Sequence, residues 1–366
     1  RACRSLVGPD APLVLPVPTF EMLEKYAVLA GATVRTLPWD TGAYPVEEVV
    51  ALSAGAGAIA VVTPNNPTGA VATKDDLLRL SRACPDAILL LDHAYVEFAE
   101  EDLTAIALSL PNVLVFRTLS KGWGLAGLRV GYVVGPAEQI AALQAHGLPY
   151  PCSSVSLAIA LRWYESGDHA MTGFVDRVAL ERPVLAKALA DVGWKARPSQ
   201  ANFILADGPD PLWLRDVFAG LGIRIRAFPG KPRLDEAARI TLPGDATAFA
   251  RVVHALNTAH RPEAILFDMD GVLADVRDSY RTCIVSTAAH FDVQVTDADI
   301  AAAKEAGNAN NDWVLTQRLL SAAGREVALE AVTEVFERLY QGTEEQPGRY
   351  ASETLLVEPA WLTALA

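Results

Sequence analysis

The chain has 366 residues, 51% hydrophobic and 20% charged, enough to bury a large core divided among two or three domains. A formal net charge of −13 with no cluster of lysines and arginines argues against a phosphate-backbone partner, so nucleic acid is not expected. Cys3, Cys84, Cys152 and Cys283 are widely spaced and show neither C-x-x-C nor Cys/His ligand spacing, which argues against a disulfide framework or a zinc site.

No apolar run reaches the roughly 18 residues that a bilayer span needs. No charged-then-apolar signal segment opens the sequence either. The expectation is a soluble, cytoplasmic protein with no membrane partner. Because it starts without methionine at RACRSLV and stops within the apolar helical pattern AWLTALA, the sequence reads as a piece of a longer gene product.

In chain order, strands alternate with helices. LVLPV, TVRTLP, AIAVVT and AILLLD read as strands, with a helix near Glu21 to Gly31 and another after Thr73. That second helix has a start signal in T-K-D-D, where Thr73 caps and Asp76 reaches back, and its stripe Leu77, Leu78, Leu80 faces a sheet. NVLVFRT and LRVGYVV follow as strands. A helical stretch from Val155 to near Val192, punctuated by Pro183, leads to a second set in NFILAD, IRIRAF and ARITLP. A helix from Asp245 to Leu256 runs into NTAHRPE, a polar linker, and AILFDMDGV begins a fresh strand. The alternation is an α/β signature.

Chemistry-bearing motifs sit at the strand ends, where open α/β sheets place their ligands. TPNNPTG follows AIAVVT, DHAY closes AILLLD, and LSKGWGLAG follows NVLVFRT, with LRVGY completing the set. Taken singly, a strand-end aspartate caps a helix and N-P-T-G makes a turn.

The order Asn66, Asp92, Tyr95, Lys121, Arg129 resembles the fold type I aminotransferases that use pyridoxal 5'-phosphate (PLP), and SKGWGLAGLRVGY is similar to their histidinol-phosphate aminotransferase branch. The resemblance covers residues 1 to about 258. It implies a large PLP-binding domain over 1–165 with a mostly parallel sheet, a small α+β domain over 166–258, and a linker over 259–263.

It also implies roles. Asp92 is the carboxylate that keeps the cofactor's pyridine nitrogen protonated, and Lys121 is the amine that binds the cofactor and moves the proton. Tyr95 and Asn66 hydrogen-bond the phenolate oxygen, and Ser120, Arg129 and Thr118 hold the phosphate. Phe20 stacks on the ring. Arg239 forks onto the substrate's acidic group, Arg226 is a second anion contact, Asn66 also meets substrate, and Asn202 anchors the chain near the cofactor. His93 is left as a packed or gating residue.

AILFDMDGVLAD, an apolar strand ending in D-x-D-G, resembles motif I of haloacid-dehalogenase (HAD)-type phosphatases. This implies a partial HAD-like Rossmannoid domain with a helical cap over 264–366, in which Asp268 is the nucleophile and Asp270 the acid, both holding Mg²⁺. An EF-hand is excluded, because no third acid or amide precedes the glycine. The cap helices near Ile284 to Phe291 and Trp313 to Leu320 carry apolar stripes expected to pack on each other, and NANNDW is a candidate specificity loop. Relative to the two families, the aminotransferase arm and cofactor-phosphate turn, and phosphatase motifs II–IV, are expected to be missing.

The combined expectation is transamination between histidinol phosphate and 2-oxoglutarate in histidine biosynthesis, by a homodimer acting on small molecules and fused to a phosphatase that takes histidinol phosphate. The alternatives are a threonine-phosphate decarboxylase, an aromatic aminotransferase, and a non-catalytic PLP-sensing regulator.

Overall fold

The computed structural model describes residues 1–148, 150–261, 264, 266–307 and 311–365. It divides into two compact units, Arg1–Glu263 and Ala264–Ala366.

The first unit is built on a six-stranded sheet of order β2-β1-β3-β4-β5-β6, formed by β1 (Leu13–Val17), β2 (Val34–Pro38), β3 (Ala58–Val62), β4 (Ile88–Asp92), β5 (Val113–Thr118) and β6 (Gly131–Val134). β1 to β5 pair in parallel and β6 closes the edge antiparallel to β5. All five residues of β3 are buried, as a parallel strand covered on both faces requires.

Alternate residues point to opposite faces, so Ile59, Val61, Leu89, Leu91, Val113 and Val115 enter one core while Leu13, Leu15, Ala58, Ala60, Leu90 and Leu114 enter the other. The helix Lys74–Ala83 lies on the first face. Its capping box forms as expected, Thr73 Oγ1 accepting from the Asp76 N–H at 3.2 Å and Asp76 Oδ2 from the Thr73 N–H at 2.9 Å. Leu77 and Leu80 are fully buried against the sheet.

A second sheet of order β7-β8-β10-β9 is antiparallel throughout and consists of β7 (Lys195–Ala196), β8 (Phe203–Asp207), β9 (Arg226–Ala227) and β10 (Ala237–Thr241). Val178, Leu185 and Leu189 of the helix Asp168–Asp191, and Val252, Ala255 and Leu256 of the helix Ala246–His260, pack on Phe203, Ile204, Ala238 and Ile240.

Three local expectations need correction. The helical stretch 155–192 is two helices, Ser154–Ser166 and Asp168–Asp191, divided at Gly167, while Pro183 sits inside the second. IRIRAF contributes only the two-residue β9. The supposed linker is helical through His260, whose ring accepts from Trp194 Nε1 at 3.0 Å and meets the Trp213 ring edge-on at 5.2 Å, so tertiary packing extends the helix beyond Leu256.

In the second unit four helices, Tyr280–His290, Asp297–Glu305, Asp312–Ala322 and Leu329–Gln341, bury Cys283, Ile284, Leu315, Leu320, Val332 and Phe336 in one core. The apolar stripes expected to meet do so. The strand expected in AILFDMDGV is not formed over the described residues, and Leu266 is 95% exposed. The strands of this unit among the described residues are β11 (Ala274–Asp275) and β12 (Thr354–Leu355), a two-residue ribbon, so residues 266–268 find no neighbour for their backbone bonds. A HAD-like Rossmannoid sheet is therefore not shown. Part of NANNDW lies outside the described residues, and Asn311 caps the helix Asp312–Ala322.

Candidate active site

Because β3, β4 and β5 are parallel neighbours, the turns that follow them gather at one edge of the sheet. Backbone bonds join these turns, from the Thr63 N–H to the Asp92 carbonyl at 3.0 Å and from the His93 N–H to the Phe116 carbonyl at 2.9 Å. Asn66 follows β3, Asp92 closes β4 and Lys121 follows β5, so all three stand at this edge of the sheet.

Asp92 ends β4 and lines a cleft of about 650 Å³ with Phe20, Phe116, Arg117 and Tyr132. One of its carboxylate oxygens accepts from the Ala94 N–H at 3.0 Å. Burial pushes the carboxyl above its ordinary range, while the Ala94 N–H and the Lys121 charge pull it back. Such a carboxylate favours a cationic partner beside it. Lys121 Nζ lies 5.1 Å from the centre of the Tyr95 ring, which in turn meets Phe203 edge-on at 5.2 Å.

Thr118 donates to Ser120 Oγ at 2.9 Å, and the Leu119 N–H bonds the Val130 carbonyl at 3.1 Å, so the β5–β6 rung brings the two hydroxyls beside the segment that carries Arg129. Arg129 is exposed, adopts a left-handed backbone with φ 58°, and donates to the Ala126 carbonyl at 3.0 Å.

The second sheet supplies Arg239. Its Nη1 donates to Asn66 Oδ1 at 2.6 Å and its guanidinium stacks on Phe203 at 4.9 Å, while its buried Nε has no partner. Burial lowers the basicity of this group, Tyr95 opposes the shift and Arg226, opposite it across the β9–β10 pair, adds to it. An anion facing these arginines is thereby favoured. Arg226 itself is half exposed and stacks on Phe228 at 5.0 Å. Asn202 is linked through its backbone, its carbonyl accepting from the Leu242 N–H at 2.9 Å.

Sequence reasoning missed the residues that hold this set in place. Asn65 is fully buried, donates to the Pro18 carbonyl and to Thr68 Oγ1, each at 2.9 Å, and accepts from Thr19 Oγ1 at 2.6 Å. It thereby fixes the loop bearing Phe20 against the turn bearing Asn66. Gly69, at φ +77°, has Ser199 so close that a Cβ would overlap its side chain, and its carbonyl accepts from the Gln200 N–H at 2.9 Å. At the wall of the cleft Arg117 bonds Glu97 at 3.1 Å and Asp102 at 3.0 Å. The doubled asparagine of TPNNPTG was the one visible signal among these.

The donor set fits PLP: a buried acid for the ring nitrogen, a lysine amine 5.1 Å from the centre of a tyrosine ring, a half-exposed ring in Phe20, and two hydroxyls in mutual contact, with Arg129 on the segment that follows. Asp268 and Asp270 do not fit magnesium in the same way. Asp268 accepts from the Met269 N–H, and no cluster of three potential metal ligands exists among the described residues.

Fold and site define an α/β, PLP-dependent transferase of fold type I. The chain belongs to the class I and II aminotransferase family, whose profile matches residues 2–256. It is 37% identical over 192 residues to an aromatic amino acid aminotransferase of Mycolicibacterium paratuberculosis, covering 51% of this chain and 54% of that protein. It is 32% identical over 248 residues to histidinol-phosphate aminotransferase 1 of a Nostoc species, covering 67% and 68%. Among solved structures, histidinol-phosphate aminotransferase from Sinorhizobium meliloti in complex with pyridoxal-5'-phosphate superimposes with a TM-score of 0.64 at 26% identity, covering 72% of this chain and 73% of that one. The chain thus spans about half the length of the mycobacterial relative. No helix among the described residues is long and apolar enough to cross a membrane.

Proposed function

We propose that this chain carries the core of a PLP-dependent aminotransferase that moves the amino group of a ring-bearing donor to 2-oxoglutarate. The convergence of Asp92, Tyr95 and Lys121 from adjacent strand ends carries the reading. Bound there, PLP supplies an electron sink for the electrons left when the donor's α-carbon loses its proton.

The chain's own residues do the rest. Asp92 holds a positive charge at the ring nitrogen, which burial of its carboxyl makes favourable. Lys121 Nζ takes the α-proton and returns it on the other side of the exchange. Tyr95 donates through its hydroxyl, and Asn66, whose oxygen is engaged by Arg239, through its amide N–H₂. Thr118, Ser120 and Arg129 bind the cofactor phosphate. Phe20 covers the ring, Arg239 takes the substrate carboxylate, and Arg226 lies beside it. The complete enzyme is proposed as a homodimer.

For the donor, an aromatic amino acid is the first reading, because Val17, Phe20, Phe228 and Leu234 give the adjoining cavity of about 380 Å³ an apolar wall. Histidinol phosphate is the second, favoured by Arg226, Lys231 and Arg233 on the same cavity. For residues 264–366 the D-x-D-G sequence is the sole support for a phosphatase, and we propose no hydrolytic step for this chain. The test is amino transfer from phenylalanine, tyrosine and histidinol phosphate to 2-oxoglutarate by PLP-loaded protein. If no donor is deaminated and none perturbs the cofactor's absorbance, the proposal fails.

A further inference from the structure

Phe20 lines two cavities. One holds Asp92, and the other is the cavity of about 380 Å³ whose rim carries Glu21, Glu24, Arg226, Lys231 and Arg233. Phe20 is thus a ring that the two cavities share. Its charges are already matched. Arg233 is held by Asp40. Glu21 turns one oxygen to Arg226 Nη2 at 3.5 Å and the other to Lys231 Nζ at 3.7 Å and Lys25 Nζ at 4.0 Å, and Glu24 adds a second carboxylate to the lining.

We infer that Glu21 is a specificity-determining residue, its carboxylate holding Arg226 and Lys231 in the place a substrate anion would take, so that the cavity selects an uncharged ring over a phosphate-bearing side chain. This deepens the aminotransferase reading and rests on it.

A phosphate dianion entering the cavity has to displace Glu21 from both cations and then sit within a few ångströms of it, well inside the roughly 8 Å over which salt screens charge. Once Arg233 is discounted, the lining sets the carboxylates of Glu21 and Glu24 against Arg226 and Lys231, and Lys25, outside the lining, is the one further cation on Glu21, so little surplus positive charge rewards the anion. An uncharged ring displaces nothing and packs on Val17, Phe228 and Leu234. Glu21, Arg226 and Lys231 are each between 39% and 56% exposed, and such pairs are individually weak, so the discrimination is graded rather than absolute.

The experiment compares kcat/KM for histidinol phosphate and for phenylalanine in the PLP-loaded wild type, Glu21→Gln and Glu21→Asp. The expected result is a ratio shifted about tenfold toward the phosphate donor in Glu21→Gln, mostly through KM, the size expected for one charge at this range in partly screened surroundings. Glu21→Asp should keep the wild-type ratio, and raising the salt should shrink the difference between wild type and Glu21→Gln. An unchanged ratio in an active Glu21→Gln protein, including an equal loss with both donors, overturns the inference alone. A wild type inactive with both donors overturns the aminotransferase reading and this inference with it.

Discussion

Arg239 on β10 donates to the Asn66 side-chain oxygen over 2.6 Å, joining residues 173 positions apart in sequence. The bond ties the second sheet to the turn after β3, and the centre of the same guanidinium lies over the Phe203 ring, 4.9 Å from its centre. Lysine can reproduce the charge but neither the planar stack nor two parallel donors. Arg239→Lys is expected to lower kcat/KM for 2-oxoglutarate by about 100-fold, through a raised KM, which is the scale of losing a bidentate, charge-assisted contact. Steady-state kinetics with the donor held saturating checks it. A KM within threefold of wild type would remove Arg239 from carboxylate binding.

Lys121 sits over the Tyr95 ring, and its charge acts on the buried carboxyl of Asp92. Lys121→Ala should leave the fold intact, because the side chain is only partly buried, while abolishing covalent retention of PLP after borohydride reduction. Mass spectrometry of the reduced, digested wild type should find the cofactor on the peptide that contains Lys121. Label on any other lysine sinks the assignment.

These pairings explain which parts of the site could be read in advance. β3 and β4 are apolar on both faces, so AIAVV and ILLLD announce themselves, and their ends carry the chemistry in TPNNPTG and DHAY. What holds the site together was not legible. Asn65 bonds Thr19 and Pro18, 46 and 47 positions away, and Arg117 reaches back 20 positions to Glu97, contacts that exist only once the strands are ordered. IRIRAF has the β-branched pattern of a longer strand, yet only Arg226 and Ala227 pair with β10. Conversely, Leu266 and Phe267 read as a strand from their side chains, but a strand also needs neighbours for its backbone, which those residues lack among the described part of their unit.

His93 follows Asp92 and is 1% exposed. Its Nδ1 lies 3.6 Å from Asp102 and bonds nothing, and Arg117 and Glu97 complete its charged surroundings. Burial is the main cause that lowers its pKa from 6.5 to about 4, with Asp102 opposing and Arg117 assisting. Between those values the unfolded chain binds a proton that the folded one refuses, so stability falls as pH drops from 6.5 toward 4. The gap corresponds to at most about 3 kcal/mol. Asp92 and Glu97, pushed upward by burial, act in the opposite sense, so the quantity to measure is a difference. The thermal midpoint of wild type minus that of His93→Gln should decline over this interval. A difference constant with pH would mean that His93 does not titrate as its burial implies.

Asp268 and Asp270 provide the last test. A HAD-type hydrolase needs its first aspartate aimed at a phosphate and both acids gathered with others around magnesium. Here Asp268 is exposed and caps its own neighbour's N–H, and Asp270 is exposed on the turn before β11. No third acid joins them among the described residues. Two carboxylates without further ligands leave Mg²⁺ mostly hydrated, because the ion sheds water reluctantly. The chain is therefore expected to release no phosphate from histidinol phosphate or phosphoglycolate above the rate of Asp268→Asn, and millimolar Mg²⁺ is expected to leave its thermal midpoint unchanged. Magnesium-dependent turnover that disappears in Asp268→Asn would show that residues 264–366 assemble a catalytic site that the open D-x-D-G segment does not suggest.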